Sequence, residues 1–191
     1  MARISYPDPD TLSEANKALM EQLPPLNIFK MLSGAGASFA PFMQFVSAYL
    51  NEGALDPELR ELVILRVGHL CGSHYEVHQH ERVARTLGVS DARIAAVKTA
   101  LPNTAFDETQ NTILLFTDEQ VANIKVTDKT FAAAKACLPD AEMIELTLIV
   151  GTYIMVCRFL ETMEIELEDT DISGSGLKEI ASGVETLTGV S

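Results

Sequence analysis

The segment 57–90 constrains the fold most, because it combines a helical hydrophobic period with every histidine of the chain. The four histidines fall within twelve residues, and they are His69, His74, His78 and His80. When each residue turns by about 100° along a helix, one stripe of this segment begins and ends apolar. The apolar members of that stripe are Leu62, Leu65, Val83 and Leu87. The period therefore predicts an all-α region that buries these side chains on the same side as His80.

The middle of the stripe is polar, and it holds His69, Ser73, Glu76 and His80. Polar groups that are buried without partners cost free energy, so we expect these side chains to hydrogen-bond one another or a ligand. Histidine can give and take a proton near neutral pH. Glu76 precedes His80 by one helical turn, so its carboxylate can orient the imidazole or raise its pKa. This pattern predicts an acid–base site around His80.

Two glycines can break the helix at this candidate site, and Glu61, Ser73 and Arg66 can contribute side chains to it. Gly68 and Gly72 each weaken a helix by about 1 kcal/mol, and a break there places Glu61 on a neighbouring helix. From that helix, Glu61 can reach the same pocket as a second carboxylate. Ser73 is either a weak nucleophile or a hydrogen-bonding group. Arg66, at the edge of the stripe, either holds a substrate carboxylate or forms a surface or interface ion pair.

The other side of the same helix carries Cys71, His74 and His78 at positions i, i+3 and i+7. Those residue types at that spacing can bind zinc, but a structural zinc site needs a fourth ligand, and none is visible in the sequence. We therefore expect no metal, and we expect the two histidines to face solvent or another subunit. Cys137 and Cys157 lie in apolar segments, which predicts core residues.

Three segments resemble the carboxymuconolactone decarboxylase family, which includes the AhpD-type alkylhydroperoxidases. They are ELVILRV from Glu61, SHYEVHQH from Ser73 and ARTLGVSDARI from Ala84. The peroxidase branch carries Cys-x-x-Cys-x-x-x-His, and alignment through His80 puts Ser73 and Glu76 where its cysteines stand. The segment is instead similar to the Glu-Phe-His-Leu-His of the decarboxylase branch and to the Tyr-Glu-Trp-x-x-His of a further branch that lacks the cysteine pair. The resemblance is specific over residues 55–97 and weaker over Gly151–Leu167.

The resemblance implies an AhpD-like helical bundle built from identical subunits, with residues 55–141 as its family core. It also implies a lyase that needs no cofactor and acts on a small lactone-type substrate bearing carboxylates. The catalytic residues would be His80, Glu76 and Glu61. The residues that bind substrate would be Ser73, His69 and Arg66.

Two other functions stay open. A peroxidase of the AhpD type needs one thiolate for the peroxide and a second thiol to resolve the product. Cys71 is the alternative redox residue, with His74 lowering its pKa, although the next cysteine in the sequence, Cys137, is 66 residues away (137 − 71). The remaining alternative is a helical protein that binds a small ligand without catalysis.

Composition and charge indicate which classes of binding partner and which cellular compartment to expect. The net charge of −13 argues against a surface for nucleic acid or anionic membranes. No segment reaches the roughly 18 uninterrupted apolar residues of a membrane span, and the first ten residues lack the apolar region of a secretory signal. The three unevenly spaced cysteines give no disulfide framework, so we expect a reducing cytoplasm.

A length of 191 residues fits one domain, 1–191, beginning with about ten extended or poorly ordered residues. Helices are predicted over about 12–23 with Thr11 as its cap, 39–51, 91–100, 108–122, 128–137 and 140–163. From 168 to 191 we expect a flexible tail with one weak helix, 177–186. A faint similarity between 57–67 and 141–151 suggests either two quasi-repeated helical halves or two amphipathic helices that share a period.

Overall fold

The computed structural model describes residues 1–168, and every regular element in that part of the chain is a helix. The α-helices are α1 (Glu14–Gln22), α2 (Asn27–Leu32), α3 (Phe39–Glu52), α4 (Pro57–Cys71), α5 (His74–Thr86), α6 (Asp91–Ala96), α7 (Glu108–Ala122), α8 (Asp128–Cys137) and α9 (Asp140–Met163). Two 3-10 helices, Pro9–Thr11 and Ser33–Ser38, precede α1 and α3. The all-α prediction is confirmed. The predicted tail, 168–191, and its weak helix lie outside the described residues, apart from residue 168.

Side-chain caps explain several of the helix starts. Asp107 and Thr127 cap α7 and α8 with their side chains, as predicted. The predicted cap at Thr11 is wrong, because Thr11 ends the first 3-10 helix and Ser13 caps α1. The helix predicted over 91–100 ends at Ala96, where the last turn tightens.

The described chain forms two compact units. The first comprises Met1–Gly53 with residues 162–168, and the second is Ala54–Glu161. All the candidate site residues lie in the second unit, and so do both stretches of the faint internal similarity, 57–67 and 141–151. The two units therefore do not correspond to the two related halves that the similarity suggests. One domain for the whole chain stays a prediction, because the described residues end at 168.

The N-terminal residues of the first unit are bound to the far end of the described chain. The backbone N–H of Arg3 donates to the carbonyl of Met163 at 2.9 Å, and the hydroxyl of Tyr6 donates to Glu166 at 3.0 Å. No regular element forms before Pro9, which agrees with the expectation of extended residues at this end, and these hydrogen bonds hold the extended chain in place.

Helix α4 is the centre of the second unit. Every residue from Leu59 to Gly68 is buried, and α4 packs against α5 and α7. The apolar core around it includes Leu62, Leu65, Ala84, Val89, Ile94 and Leu114. A helix buried on all sides leaves no solvent for its charged side chains, so each of them needs a partner inside the protein. These buried charged side chains are Arg60, Glu61 and Arg66.

Gly72 ends α4 and turns the chain into α5. Its φ of 69° and ψ of 22° are left-handed, a conformation that glycine adopts without a steric penalty. Close packing of the two helices also uses Gly68, where an added Cβ would lie 3.0 Å from the side chain of Val77. The break at Gly72 therefore puts Glu61 on the helix next to the one that carries His74, His78 and His80.

The turn at Gly72 also resets the helical phase, which overturns part of the predicted stripe. The two leucines of the stripe on α4 are fully buried, as predicted. On α5, however, Val83 is only half-buried, and Leu87 is 42% exposed. Helix α5 buries Ala84 instead. Because the chain turns at Gly72, the buried face of α5 does not continue the helical period of α4.

Helix α9 is long and apolar enough to cross a membrane by length and composition alone. Its mean hydropathy reaches 1.7 over 18 residues, and 50% of that window is buried inside the protein. The carboxylate of Glu145 on α9 accepts hydrogen bonds from the backbone N–H groups of Ala54 and Leu55, at 2.6 and 3.2 Å. Half burial and an internal partner for its carboxylate are properties of a core helix.

Candidate functional site

Three side chains meet between α4 and α5. The Nδ1 atom of His80 lies 2.6 Å from Oε2 of Glu61, and the Nε2 atom lies 3.0 Å from Oε1 of Glu76. Each nitrogen of the imidazole is therefore held by a different carboxylate. The structure thus brings together the three residues that the sequence analysis takes as catalytic.

The local sequence explains how this trio forms. Glu76 and His80 are one turn apart on α5, so their side chains share a face of that helix. Glu61 comes from α4, which the turn at Gly72 places beside α5. The other oxygen of Glu61, Oε1, accepts a hydrogen bond from Nε of Arg60 at 3.3 Å. Both oxygens of Glu61 are thus occupied, and this fixes the orientation of the carboxylate.

The trio is almost completely enclosed. Glu61 is fully buried, Glu76 is 3% exposed, and the side chain of His80 is 13% exposed. The ring of Tyr153 on α9 meets the imidazole of His80 edge to face, with 5.0 Å between the ring centroids. The sequence analysis missed Tyr153. Its one signal is a polar-tipped aromatic residue inside an apolar helix, where a tyrosine hydroxyl needs a partner.

Burial and charge act on His80 in opposite directions. Burial is the largest single influence and lowers its pKa, because an imidazolium loses hydration when it is enclosed. The negative charges of Glu61 and Glu76, with their hydrogen bonds to the ring, together outweigh burial and raise the pKa of His80 to about 10. At neutral pH, His80 is therefore an imidazolium that donates one N–H to each carboxylate.

The other polar residues of the predicted stripe, Ser73 and His69, have different neighbours from those of His80. Ser73 Oγ is buried, makes no hydrogen bond to a nitrogen or oxygen of residues 1–168, and lies beside the thiol of Cys157. His69 is half-buried, and burial lowers its pKa. The charged groups that act on His69 include Glu81 and Lys98 rather than the two carboxylates of the trio.

Arg66 is bound by groups inside the protein. Its Nε and Nη2 atoms donate to the two carboxylate oxygens of Asp118 on α7, at 2.6 and 2.7 Å. Its Nη1 atom donates to the backbone carbonyls of Val97 and Thr99. A two-point ion pair of this kind fixes the guanidinium. Of the two roles open to Arg66, the structure shows an internal ion pair and not a free binding group for a substrate carboxylate.

The partner of Cys71 differs from the expected one. His74 is exposed, and the pKa of Cys71 responds instead to the thiol of Cys157, to burial and to Arg158. Cys157 is buried on α9, as predicted for a core residue. Cys71 is therefore not the isolated cysteine that the sequence separation suggests. Spacing along the chain gives no sign of this contact, because four helices intervene between α4 and α9.

The histidines on the other side of the segment do not form a metal site. Within residues 1–168, no group of three or more histidines, cysteines or carboxylates is arranged to hold a metal ion. His74 and His78 are both exposed, and the thiol of Cys71 lies beside that of Cys157. The candidate zinc ligands of the sequence analysis therefore do not converge.

Comparison with known proteins gives a family match. Residues 37–119 match the model of the carboxymuconolactone decarboxylase family. This range contains α3 to α6 and most of α7, and it includes all three residues of the trio. A search of curated proteins finds no match.

Solved structures with the AhpD-like helical fold are similar over most of the chain. A peroxidase-related protein with an AhpD core from Ralstonia eutropha JMP134 is 17% identical, with a TM-score of 0.74, over 88% of this chain and 93% of that one. A peroxidase-related protein from Silicibacter sp. TM1040 is 15% identical, with a TM-score of 0.75, over 88% and 92%. The debrominase Bmp8 in complex with 2,3,4-tribromopyrrole is 15% identical, with a TM-score of 0.67, over 94% and 100%. At identities of 15–17%, the similarity shows a shared fold alone.

Proposed function

We propose, from the match of residues 37–119 to the carboxymuconolactone decarboxylase family, that the protein is a lyase that needs no cofactor and acts by acid–base chemistry on a small, carboxylated, lactone-type substrate. His80 carries the proton, and Glu61 and Glu76 hold the imidazole. The observation that supports this proposal most is the capture of both ring nitrogens of His80 by buried carboxylates.

The two carboxylates have different roles in this proposal. Glu61 makes the shorter bond to the ring, 2.6 Å against 3.0 Å for Glu76, and a second bond from Arg60 fixes it. We therefore assign Glu61 to orientation of the ring through Nδ1. The proton that moves is the one on Nε2, which Glu76 holds at rest.

An imidazolium acts as a proton donor. When a carboxylate leaves a substrate carbon as carbon dioxide, the electron pair of the broken carbon–carbon bond stays on that carbon. His80 donates its Nε2 proton there, a carbon–hydrogen bond forms, and the neutral imidazole regains a proton from water. The charges of Arg60, Glu61, Glu76 and His80 sum to zero, so a substrate carboxylate does not meet a net negative site.

Turnover of 4-carboxymuconolactone, followed by release of carbon dioxide, tests this proposal. General acid–base catalysis contributes about 100- to 10,000-fold, so His80→Ala should lose that much of the rate. His78→Ala is the matched control, because His78 is an exposed histidine on the same helix, and its rate should equal that of the wild type. No turnover by the intact protein would refute the substrate. Equal rates with and without His80 would refute the mechanism.

A second candidate function is peroxide reduction of the AhpD type through Cys71. It is favoured by the thiol of Cys71, whose pKa is lowered to about 7 by the adjacent thiol of Cys157 and by Arg158 against the effect of burial. Loss of peroxide reduction in Cys71→Ser would support it, and unchanged reduction would exclude Cys71. A protein that binds a small ligand without catalysis should show neither activity.

A further inference from the structure

We propose that helix α9 packs against α9 of a second copy of this chain, in antiparallel orientation and around a two-fold axis near residue 149. The contact surface is one exposed stripe of the helix, the α9 stripe. Its members are Asp140, Ile144, Leu148, Gly151, Met155 and Arg158. This inference goes beyond the lyase proposal and does not depend on it, because no member of the stripe belongs to the trio around His80.

The α9 stripe is apolar along most of its length. Ile144, Leu148 and Met155 are all exposed, and intervals of four and seven residues place them on one face of the helix. The opposite face of the helix is buried and includes Leu146 and Tyr153. A continuous row of large exposed apolar side chains is typical of a surface that another protein covers.

Gly151 lies in the middle of the stripe, between Leu148 and Met155. It is exposed, and a Cβ added there would meet no atom of the described residues within 4 Å. Glycine is less favourable than alanine inside a helix, so packing within the chain gives no reason for a glycine at this position. The distance between two packed helices depends on the side chains at their contact, and a glycine lets a second helix come close. Gly151 therefore indicates that the partner of the stripe is a closely packed helix.

The two charged residues at the ends of the stripe favour a second α9 in antiparallel orientation. Asp140 and Arg158 are 18 residues apart (158 − 140), which is about five turns at 3.6 residues per turn. They therefore lie along the same edge of the helix, about 27 Å from each other. In an antiparallel pair, Asp140 of each copy lies beside Arg158 of the other, whereas a parallel pair in register brings like charges together.

Both charges are available for this contact. Asp140 and Arg158 are exposed. Within residues 1–168, Arg158 forms no ion pair, and Asp140 pairs with Lys135 at 3.1 Å on the surface, where such pairs contribute little to stability. A salt bridge between the two copies can therefore form without breaking a buried interaction. It occurs twice, because a two-fold contact is self-complementary.

The same salt bridges fix the register of the two helices. The two-fold axis passes near residue 149, midway between the two charged residues, and residues equally far from it on the two copies lie at the same height. Ile144 then lies beside Met155 of the second copy, and Leu148 lies beside its Gly151. Each large apolar side chain of the stripe thus faces an apolar side chain or the glycine, in the one register that also pairs the charges.

Sedimentation equilibrium of the full-length protein tests the charged ends. We expect the wild type to form a dimer, or a larger assembly with an even number of copies, at micromolar concentration. Arg158→Glu and Asp140→Arg should each raise the Kd by about tenfold or more, because like charges then meet at both ends. The double variant should recover the wild-type Kd, because the exchanged charges pair again. Lys129→Glu, at an exposed lysine on α8, is the matched control and should associate as the wild type does.

Gly151→Leu separates close packing from non-specific association. Leucine is a good helix former and adds exposed apolar surface, so it should strengthen a non-specific contact, whereas a closely packed pair has no room for it and should dissociate. Alanine adds only a methyl group and is too small for this test. Circular dichroism checks that each variant keeps its helices. A monomeric wild type, which needs no variant, would overturn the proposal. An assembly that Gly151→Leu leaves intact, or a double charge variant that does not recover the Kd, would also overturn it.

Discussion

Replacement of Glu76 by glutamine keeps the size of the side chain and removes its charge, so it isolates the effect of Glu76 on His80. A carboxylate within about 4–6 Å changes the pKa of a neighbouring group by about 1–3. We therefore expect Glu76→Gln to lower the pKa of His80 by that amount from its value of about 10. The pKa should stay raised in part, because Glu61 has the larger effect of the two carboxylates.

The raised pKa of His80 also makes the free energy of unfolding depend on pH. A folded-state pKa of about 10 against an ordinary value of 6.5 corresponds to about 5 kcal/mol, at 1.36 kcal/mol per pKa unit. Because the folded-state value is the higher one, this stabilisation is fully present below pH 6.5 and is lost as the pH rises to about 10. Glu76→Gln should remove about 1–4 kcal/mol of it at low pH.

Two measurements decide this prediction. NMR titration of labelled histidine gives the pKa of His80 in each protein, and urea unfolding at about pH 6 and about pH 9 gives the linked free energies. Glu81→Gln is the matched control, because it makes the same change on α5 at a carboxylate that pairs with Arg85. If the His80 curves of the wild type and Glu76→Gln coincide, Glu76 is not the partner that the geometry indicates.

Two further predictions concern the turn and the surface. Gly72→Ala should lower the free energy of unfolding by about 1–2 kcal/mol, because its φ of 69° strains any residue with a Cβ. Gly151→Ala, in the middle of α9 with no atom near the added Cβ, should be neutral or stabilising by about 1 kcal/mol, and equal losses in urea unfolding would contradict the assignment of strain. The chain should also form homo-oligomers, because Ile144, Leu148 and Met155 expose 64%, 47% and 48% of their surface along α9. Light scattering at micromolar concentration checks this, Leu148→Glu should give smaller species, and a monomeric wild type would contradict it.

The parts of the site that could be predicted from the sequence depend on local spacing. Glu76 and His80 are one helical turn apart, so their contact follows from the period of α5 alone. The caps at Asp107 and Thr127 are equally local, because a capping side chain binds an N–H group two or three residues ahead. Glu61 required one more inference, namely that the glycines would break the helix between it and His80.

The parts that could not be predicted depend on contacts between distant residues. Tyr153 reaches His80 on α5 only because α9 returns to this part of the fold after the helices in between, and nothing in its local sequence indicates that return. The predicted stripe includes Leu87 because it continues one helical phase through Gly72. The left-handed turn changes that phase, and an apolar residue at the end of α5 is then exposed.

The complete burial of α4 from Leu59 to Gly68 also decides how the site responds to local opening of the fold. Amide hydrogens in so enclosed a helix exchange with solvent only through large-scale unfolding, whereas a less enclosed helix such as α5 opens in smaller fluctuations of lower free energy. If α5 opened in this way, His80 and Glu76 would leave together, because both lie on that helix. Glu61 would stay on α4 with Arg60 as its partner, so the interior would keep a neutral ion pair and not an isolated carboxylate. We therefore expect that loss of the imidazole would leave no unpaired charge at the centre of the unit.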